Sequence, residues 1–548
     1  MVDTIITGAR IRPMTSQHGA AEAAETALAV ADGRITHLGT DEEIRALAGP
    51  GTEIIDAAGA VLTPGLIDSH MHPVWGAELA VGLDLDGLTE LAQVRQAVAA
   101  AAAELSPGGW IRGWNLDYKA FDGHGIRGDL LDEAAAGHPL ALIFYDLHTG
   151  LANQPALDAA GLDVDHVFSD ASEIVRGPDG RPTGELREIP AFMAVLDAAP
   201  PGGGEEVAVR VRRILAQSAA SGVTSAVVMD GRDSTLSTLE EVETLPGGLP
   251  VRLHIALWHQ PGDDDAAVAD RTLRLGDAGA EHPGGPRFQV SLIKMFLDGV
   301  IDAGTAWLHE PDAAGDSTRP FWHSVRRYDQ VCRAYHEAGF QLATHSCGDA
   351  GVAHALQVYR TLEGASGPAH SLHGAPHRIE HLETLTDDDV AALAASGVVA
   401  SMQPLHMQWR EADHSDSFAA RLGPERAGHA YRTRDVLDAG GRLALGSDWP
   451  VAQLDARLGM AWAQLRRTPG DPTAPVFEPE QRLSAAEALL GYTRWAAEAL
   501  GREDLGVVAP GAVADLALWE EDPITADPDH LPELPVRCTL LGGQVTVG

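Results

Sequence analysis

Only two of the 39 basic residues in this 548-residue chain are lysines, and one of them, Lys294, lies in the apolar run Phe288-Gln289-Val290-Ser291-Leu292-Ile293-Lys294-Met295-Phe296-Leu297. A desolvated lysine amine can shed its proton and act as a nucleophile or base, whereas arginine stays charged. The neutral amine can also take up carbon dioxide as a carbamate, an anionic ligand with two oxygens. A lysine at a strand end whose ammonium snorkels to water would need none of this. Four histidines and an aspartate favour the chemical reading. His70 and His72 form an H-x-H pair in Asp68-Ser69-His70-Met71-His72-Pro73, at the end of the apolar run Val61-Leu62-Thr63-Pro64-Gly65-Leu66-Ile67. On a strand, residues i and i+2 point the same way, so both imidazoles can reach one metal. His345 follows Gln341-Leu342-Ala343-Thr344, His381 ends Arg378-Ile379-Glu380-His381, and Asp448 ends Leu443-Ala444-Leu445-Gly446-Ser447-Asp448. Each alone reads as readily as a hydrogen-bonded structural residue. Together they are the ligand types that a divalent metal accepts.

Elements must hold these residues around one point. Eight strand candidates carry or separate them: residues 61–72, 223–230, 251–258, 288–298, 341–349, 378–382, 398–405 and 442–448. Helical stretches rich in alanine lie between several of them, at 205–220 and 328–338. Alternating strands and helices indicate a parallel sheet, and eight strands are what a (β/α)₈ barrel needs. Catalytic residues of such barrels collect at the C-terminal strand ends, where these candidates fall: His-x-His on the first, Lys294 on the fourth, His345 on the fifth, His381 on the sixth and Asp448 on the eighth. The gap between the first two strands exceeds one crossover, so residues from about 85 to 200 read as an insertion. Both termini read as short strands with turns, at 3–12 and 27–38 with Asp32-Gly33-Arg34 between strands, and at 514–519 and 537–547 with Gly542-Gly543. The expected organisation is a small β-sandwich built from 1–60 plus 505–548, flanking a barrel over 61–504.

Composition narrows the function classes. A formal net charge of −40 opposes binding to nucleic acid or anionic membranes, which requires clustered Lys and Arg. No apolar stretch has the length of a membrane span, and the N-terminus lacks a basic region followed by an apolar one, so no secretory signal is expected. Three cysteines (Cys332, Cys347 and Cys538) are too few for a disulfide framework, and a cytoplasmic location is expected. A homo-oligomer is compatible with the sequence.

The segment Pro64-Gly65-Leu66-Ile67-Asp68-Ser69-His70-Met71-His72 resembles the opening motif of the amidohydrolase superfamily. With Lys294, His345, His381 and Asp448 it resembles the binuclear type that carries a carboxylated lysine. Further motifs are similar to the amidohydrolase-3 branch, which includes YtcJ-like proteins and N-substituted formamide deformylases. They are Pro182-Thr183-Gly184-Glu185-Leu186-Arg187-Glu188, Lys294-Met295-Phe296-Leu297-Asp298-Gly299, His345-Ser346-Cys347-Gly348-Asp349, Arg378-Ile379-Glu380-His381 and Gly446-Ser447-Asp448-Trp449-Pro450, and the resemblance runs on to Gly511-Ala512-Val513-Ala514-Asp515-Leu516.

The resemblance implies two divalent metal ions. His70, His72 and Asp448 would bind the more buried one and His345 and His381 the other, with a carbon-dioxide-derived carbamate on Lys294 bridging them. Zinc suits such ligands, and manganese, iron or cobalt could take its place. Paired cations would lower the pKa of a shared water and polarise a carbonyl, with Asp448 as the base. The implied enzyme hydrolyses a non-peptide C–N bond of a small molecule, foremost an N-substituted formamide or another small N-acyl compound. A cyclic amide or imide hydrolase of the hydantoinase kind is the alternative. A non-catalytic binding protein on the same scaffold would be expected to have lost metal ligands.

His148, in Tyr145-Asp146-Leu147-His148, resembles a substrate-side motif of the branch. Leu147 stands where the branch pattern is closer to glycine. Trp114, Asp298 and Gln403 complete the substrate-side candidates, with Asp117 and Trp449 as further cavity-lining residues. Cys347 reads as a small buried hydrophobe.

Overall fold

In the computed structural model, residues 2–16, 21–162, 166–200, 205–232, 234–366, 371 and 374–547 are described. Eight parallel strands form the central sheet, each paired with its neighbours in chain order: β1 (Leu66–Met71), β2 (Val223–Gly231), β3 (Arg252–Trp258), β4 (Phe288–Phe296), β5 (Gln341–Ser346), β6 (Arg378–His381), β7 (Val399–Met402) and β8 (Arg442–Leu445). Every residue of β1, β2, β3, β5, β6 and β7 is buried, as expected for strands covered on both faces. Helices occupy the crossovers. In Val325–Ala338, Tyr328, Val331, Cys332 and Tyr335 are buried at helical spacing, and Gly339 ends the helix in the left-handed conformation, with φ of 97°.

Two strand expectations need correction. Residues 61–72 are two strands, not one: Val61–Pro64 pairs with Leu516–Trp519 in another sheet, and β1 starts only at Leu66. Gly65 is the pivot between them, because a Cβ there would collide with the Thr224 side chain on β2. The last strand stops at Leu445, so Asp448 lies in the following loop with φ of 58°.

That loop brings the two ends of the sheet together. The Asp448 N–H donates to the His70 carbonyl at 2.7 Å, the Ser447 N–H to Asp68 Oδ1 at 3.0 Å, and the His72 N–H to the Trp449 carbonyl at 2.8 Å. Gly446 permits this approach, since a Cβ would lie 2.6 Å from the His70 nitrogen.

The termini build two further sheets. One has the order Arg34–Gly39, Ala27–Ala31, Thr4–Thr7, Glu53–Asp56, and the other Arg10–Ile11, Val61–Pro64, Leu516–Trp519, Val536–Leu541, Gln544–Val547. Ile6, Leu28 and Val30 share a buried cluster with Leu62, Leu516, Leu518 and Leu540. Asp32 and Gly33, with φ of 51° and 74°, make the turn between the first pair of strands.

Between β1 and β2 a six-stranded sheet runs in the order Glu173–Arg176, Pro182–Arg187, Thr149–Ala152, Leu140–Phe144, Ile111–Leu116, Leu83–Asp84. Its hairpin turn, residues 145–148, reaches the barrel cavity. Among the described residues, no helix is long and apolar enough to cross a membrane.

Candidate metal centre

The cavity at the C-terminal strand ends is lined by His72, Lys294, His345, His381 and Asp448, and His70 lies against them. His70, His381 and Asp448 offer ligand atoms within 4.8 Å of one another. His70 Nε2 is 3.4 Å from Asp448 Oδ1, and His381 Nδ1 is 3.6 Å from Oδ2. His72 Nε2 approaches Oδ1 to 3.2 Å without the alignment of a hydrogen bond. The His345 and His381 ring centroids are 4.3 Å apart. His345 Nε2 lies 3.1 Å from the Gly299 carbonyl, which assigns the proton to Nε2 and leaves Nδ1 with a lone pair.

Lys294 is 0% exposed, and its Nζ has no hydrogen-bond partner. Burial pushes the ammonium down to about 8, against the pull of Glu380 and Asp448. Burial also lowers the three inner imidazoles, His70 to about 4 and His345 and His381 well below the ordinary value, helped in each by the charge of Lys294. Neutral imidazole is the metal-binding form. At Asp448, burial alone would raise the carboxyl, but His70 and His72 outweigh it and hold the group below the ordinary range.

Four buried atoms in this cluster lack partners: His70 Nε2, His72 Nδ1, Lys294 Nζ and Asp448 Oδ1. Buried polar atoms are nearly always satisfied, so such a concentration fits an arrangement completed by divalent cations. The surroundings orient the donors. His70 Nδ1 is 2.7 Å from Glu380 Oε2, and Glu380 is gripped by Arg378 at 2.6 and 3.0 Å. Arg378 also donates to the Ser69 carbonyl at 2.7 Å, tying β6 to β1. Such carboxylate–imidazole pairs fix the ring and its tautomer.

His148 lines the same cavity, 4.9 Å from His345 between ring centroids, with Nδ1 2.7 Å from Glu188 Oε2. Burial would lower the His148 imidazole, but Glu188 and Asp146 raise it above its ordinary value. Cys347 also lines the cavity, its Sγ 3.5 Å from His345 Nε2, and burial holds the thiol protonated.

The other substrate-side candidates lie elsewhere. Trp114 sits on the insertion sheet, its carbonyl accepting from the Leu85 N–H at 3.0 Å. Gln403 is buried beyond β7, its Nε2 3.4 Å from the Ser401 carbonyl. Asp298 is buried beneath the site and accepts from the backbone N–H groups of Trp307, Cys347 and Gly348 at 2.9, 3.0 and 2.9 Å. Burial nonetheless pushes its carboxyl up to about 8. Asp117 caps the short helix Tyr118–Phe121, and the Trp449 carbonyl accepts from the His72 N–H just after β1. None of these five lines the cavity.

Sequence reasoning missed His406, whose Nε2 is 3.6 Å from Asp448 Oδ2, and gave no role to Glu188. His406 lies in the 3₁₀ turn Pro404–Trp409, directly after the seventh strand candidate, 398–405, which stops at Met402; that strand end was the available signal. Glu188 closes the Pro182-to-Glu188 motif, which was the available signal.

The amidohydrolase family model matches residues 53–547. The chain is 28% identical to the putative amidohydrolase YtcJ of Bacillus subtilis (strain 168), over 95% of each chain. It is 26% identical to an N-substituted formamide deformylase of Arthrobacter pascens, over 99% of this chain and 98% of that one. An uncharacterized metal-dependent hydrolase from Pyrococcus horikoshii OT3 shares the fold, with a TM-score of 0.71 at 21% identity over 96% of this chain and 99% of that one. With its eight-stranded parallel barrel and a match spanning nearly all of its length, the chain belongs to the amidohydrolase family and is a metal-dependent hydrolase of C–N bonds.

Proposed function

We propose that this protein hydrolyses an N-substituted formamide or another small N-acyl compound at a centre of two divalent metal ions, zinc being the best match to the donors. His70, His72 and Asp448 would hold one ion, His345 and His381 the other, and a carbamate on Lys294 both. The observation that carries this reading is the buried Lys294 amine, unpartnered among three imidazoles and a carboxylate. The neutral amine adds to carbon dioxide with loss of one proton, which turns a costly buried amine into an anionic ligand.

When bound, the cations would supply an acidified water and polarise the scissile carbonyl. Asp448, whose carboxylate faces His70, His72 and His381 within 3.6 Å and is kept ionised by His70 and His72, would accept the proton of the attacking water and pass it to the leaving nitrogen. His148, held by Glu188, is placed to hydrogen-bond the substrate. Trp75, Phe296 and Trp409 give the cavity apolar walls for the N-substituent. Water oxygen joins the carbonyl carbon, the C–N bond breaks, and a carboxylic acid and an amine leave. Residues 1–60 with 505–548 are read as one supporting unit, and a cytoplasmic location fits three unpaired, buried cysteines.

The test is turnover of metal-loaded protein on N-formyl amines, N-acyl amino acids and cyclic imides, with Asp448→Asn as control. The expected result is release of amine from N-formyl or N-acyl compounds and none in the control. Turnover confined to cyclic imides would replace this reading with the hydantoinase-like one.

A further inference from the structure

The cavity carries a second group of charges that hydrolysis does not use. Glu383, two residues beyond β6, is 7% exposed and lines the cavity. Its Oε2 has no hydrogen-bond partner, and its Oε1 is 3.8 Å from His406 Nδ1. Asp302, in the loop after β4, lines the same cavity and accepts from the hydroxyls of Ser417 and, at 3.3 Å, Tyr145. The Tyr145 ring lies flat on Trp409, with centroids 4.3 Å apart and planes 7° from parallel. Trp409 stands 5.6 Å from the His406 ring, and His406 Nε2 is 3.6 Å from Asp448. The acid pair and the aromatic face are thus one side chain away from the reacting carboxylate.

The one basic side chain within 4 Å of either carboxylate of this pair among the described residues is His406, 3.8 Å from Glu383. Arg410 also lines the cavity, but its guanidinium is flanked by Asp416 at 3.6 Å and Glu478 at 3.8 Å, with the Phe418 and Phe477 rings 4.9 and 5.3 Å from its centre. Glu478 is shared with Arg466 at 3.1 Å and the Arg410 guanidinium nitrogens have no hydrogen-bond partner, but the group faces Asp416 and the two rings and forms no ion pair with Asp302 or Glu383. Among the described residues, no Lys or Arg forms an ion pair with the Asp302 or Glu383 carboxylate, and Arg421 donates only to the Asp302 backbone carbonyl at 2.9 Å. Burial, and then the nearby Glu383, push the Asp302 carboxyl up to about 7, and a cation joining the two acids would favour its ionised form. The flat aromatic pair beside them offers the surface on which an organic cation gains most.

We propose that this part of the cavity is a subsite for an organic cation, an ammonium or guanidinium on the amine half of the substrate, bound by Asp302 and Glu383 against the Tyr145–Trp409 face. The assignment to the amine half rests on the hydrolase reading; the cation preference does not. The net charge of −40 would raise the local concentration of such ligands.

Isothermal titration of the metal-loaded full-length protein with butylguanidinium and with hexan-1-ol tests this. The first keeps its charge at all working pH values and is a poor metal ligand; the second is neutral and of similar length. Neither contains an amide, so a failed hydrolase assay would leave this measurement intact. Butylguanidinium is expected to bind at least about tenfold more tightly than the alcohol. Glu383→Gln and Asp302→Asn, checked for native circular dichroism, should each reduce that preference about fivefold or more. Equal binding of the two probes, no binding of either, or a preference undiminished in both variants would overturn the proposal.

Discussion

Leu147 shows how one residue can shape this cavity. Its φ of 57° lies where glycine is at ease and a leucine is strained by about 1–2 kcal/mol. The conformation is imposed by Asp146, whose Oδ1 accepts from the His148 and Thr149 N–H groups at 2.9 and 3.2 Å. The leucine side chain is buried in the cavity wall. Leu147→Gly is therefore expected to relax the turn and enlarge the cavity. The ratio of kcat/KM for bulky over small N-substituents should rise about tenfold across a series of N-formyl amines. An unchanged ratio would remove Leu147 from substrate selection. The convergence of Lys294, His345 and His381 was legible in the sequence because each lies in or at the end of a strand candidate, and a barrel gathers strand ends. His406, Asp302 and Glu383 were not read from the sequence: they lie just past the strand candidates 398–405, 288–298 and 378–382, in turns with no ligand motif to single them out.

At the scale of elements, the helix Ala485–Gly491 behind β8 starts with a capping box, Ser484 and Glu487 satisfying each other's backbone. Arg434 adds a two-pronged contact to Glu487 at 2.9 and 2.5 Å. Partial burial alone would raise the Glu487 carboxyl, but Arg434 and Ser484 bring it down to about 2 from an ordinary 4.5. A carboxyl whose folded pKa is depressed stabilises the fold above its unfolded value and loses that contribution as pH falls through the folded one. Glu487→Gln should thus lower unfolding stability at neutral pH by about 1 kcal/mol or less, given solvent screening of this partly exposed pair. The difference should shrink below pH 4.5 in urea titrations. A gap that widens on acidification would contradict the assignment. Element existence was legible here because strands and helices alternate strongly; their ends were not. Gly65 splits one apolar run into strands of two sheets, and β8 ends early so that Gly446 can meet β1, both consequences of close approach by distant backbone.

For the whole molecule, the C-terminal segment is anchored to the barrel by a buried ion pair. Arg252 at the start of β3 reaches Asp515 at 2.9 and 3.3 Å and donates to the Gly285 and Pro286 carbonyls. Both side chains are nearly inaccessible. Removing one partner strands the other's charge, so Asp515→Ala should destabilise by about 3–5 kcal/mol, and Arg252→Met in the same chain should recover part of that loss. Additive losses in denaturant unfolding would show that the pair does not couple the segment to the barrel. That both termini are rich in strands was legible. Their threading was not: Val61–Pro64 lies between Arg10–Ile11 and Leu516–Trp519, contacts that span most of the chain.

Lys294 is the residue on which the chemistry depends, and its replacement is the most direct measurement. Metal per chain and amine release from an N-formyl amine are determined for Lys294→Ala beside the unmodified protein. Metal and kcat/KM are expected to fall together, the latter by more than about 100-fold, the upper range for loss of a mere supporting partner. Added short-chain carboxylates should restore part of both by standing in for the carbamate. Full metal content and full activity in Lys294→Ala would contradict the carboxylated-lysine centre.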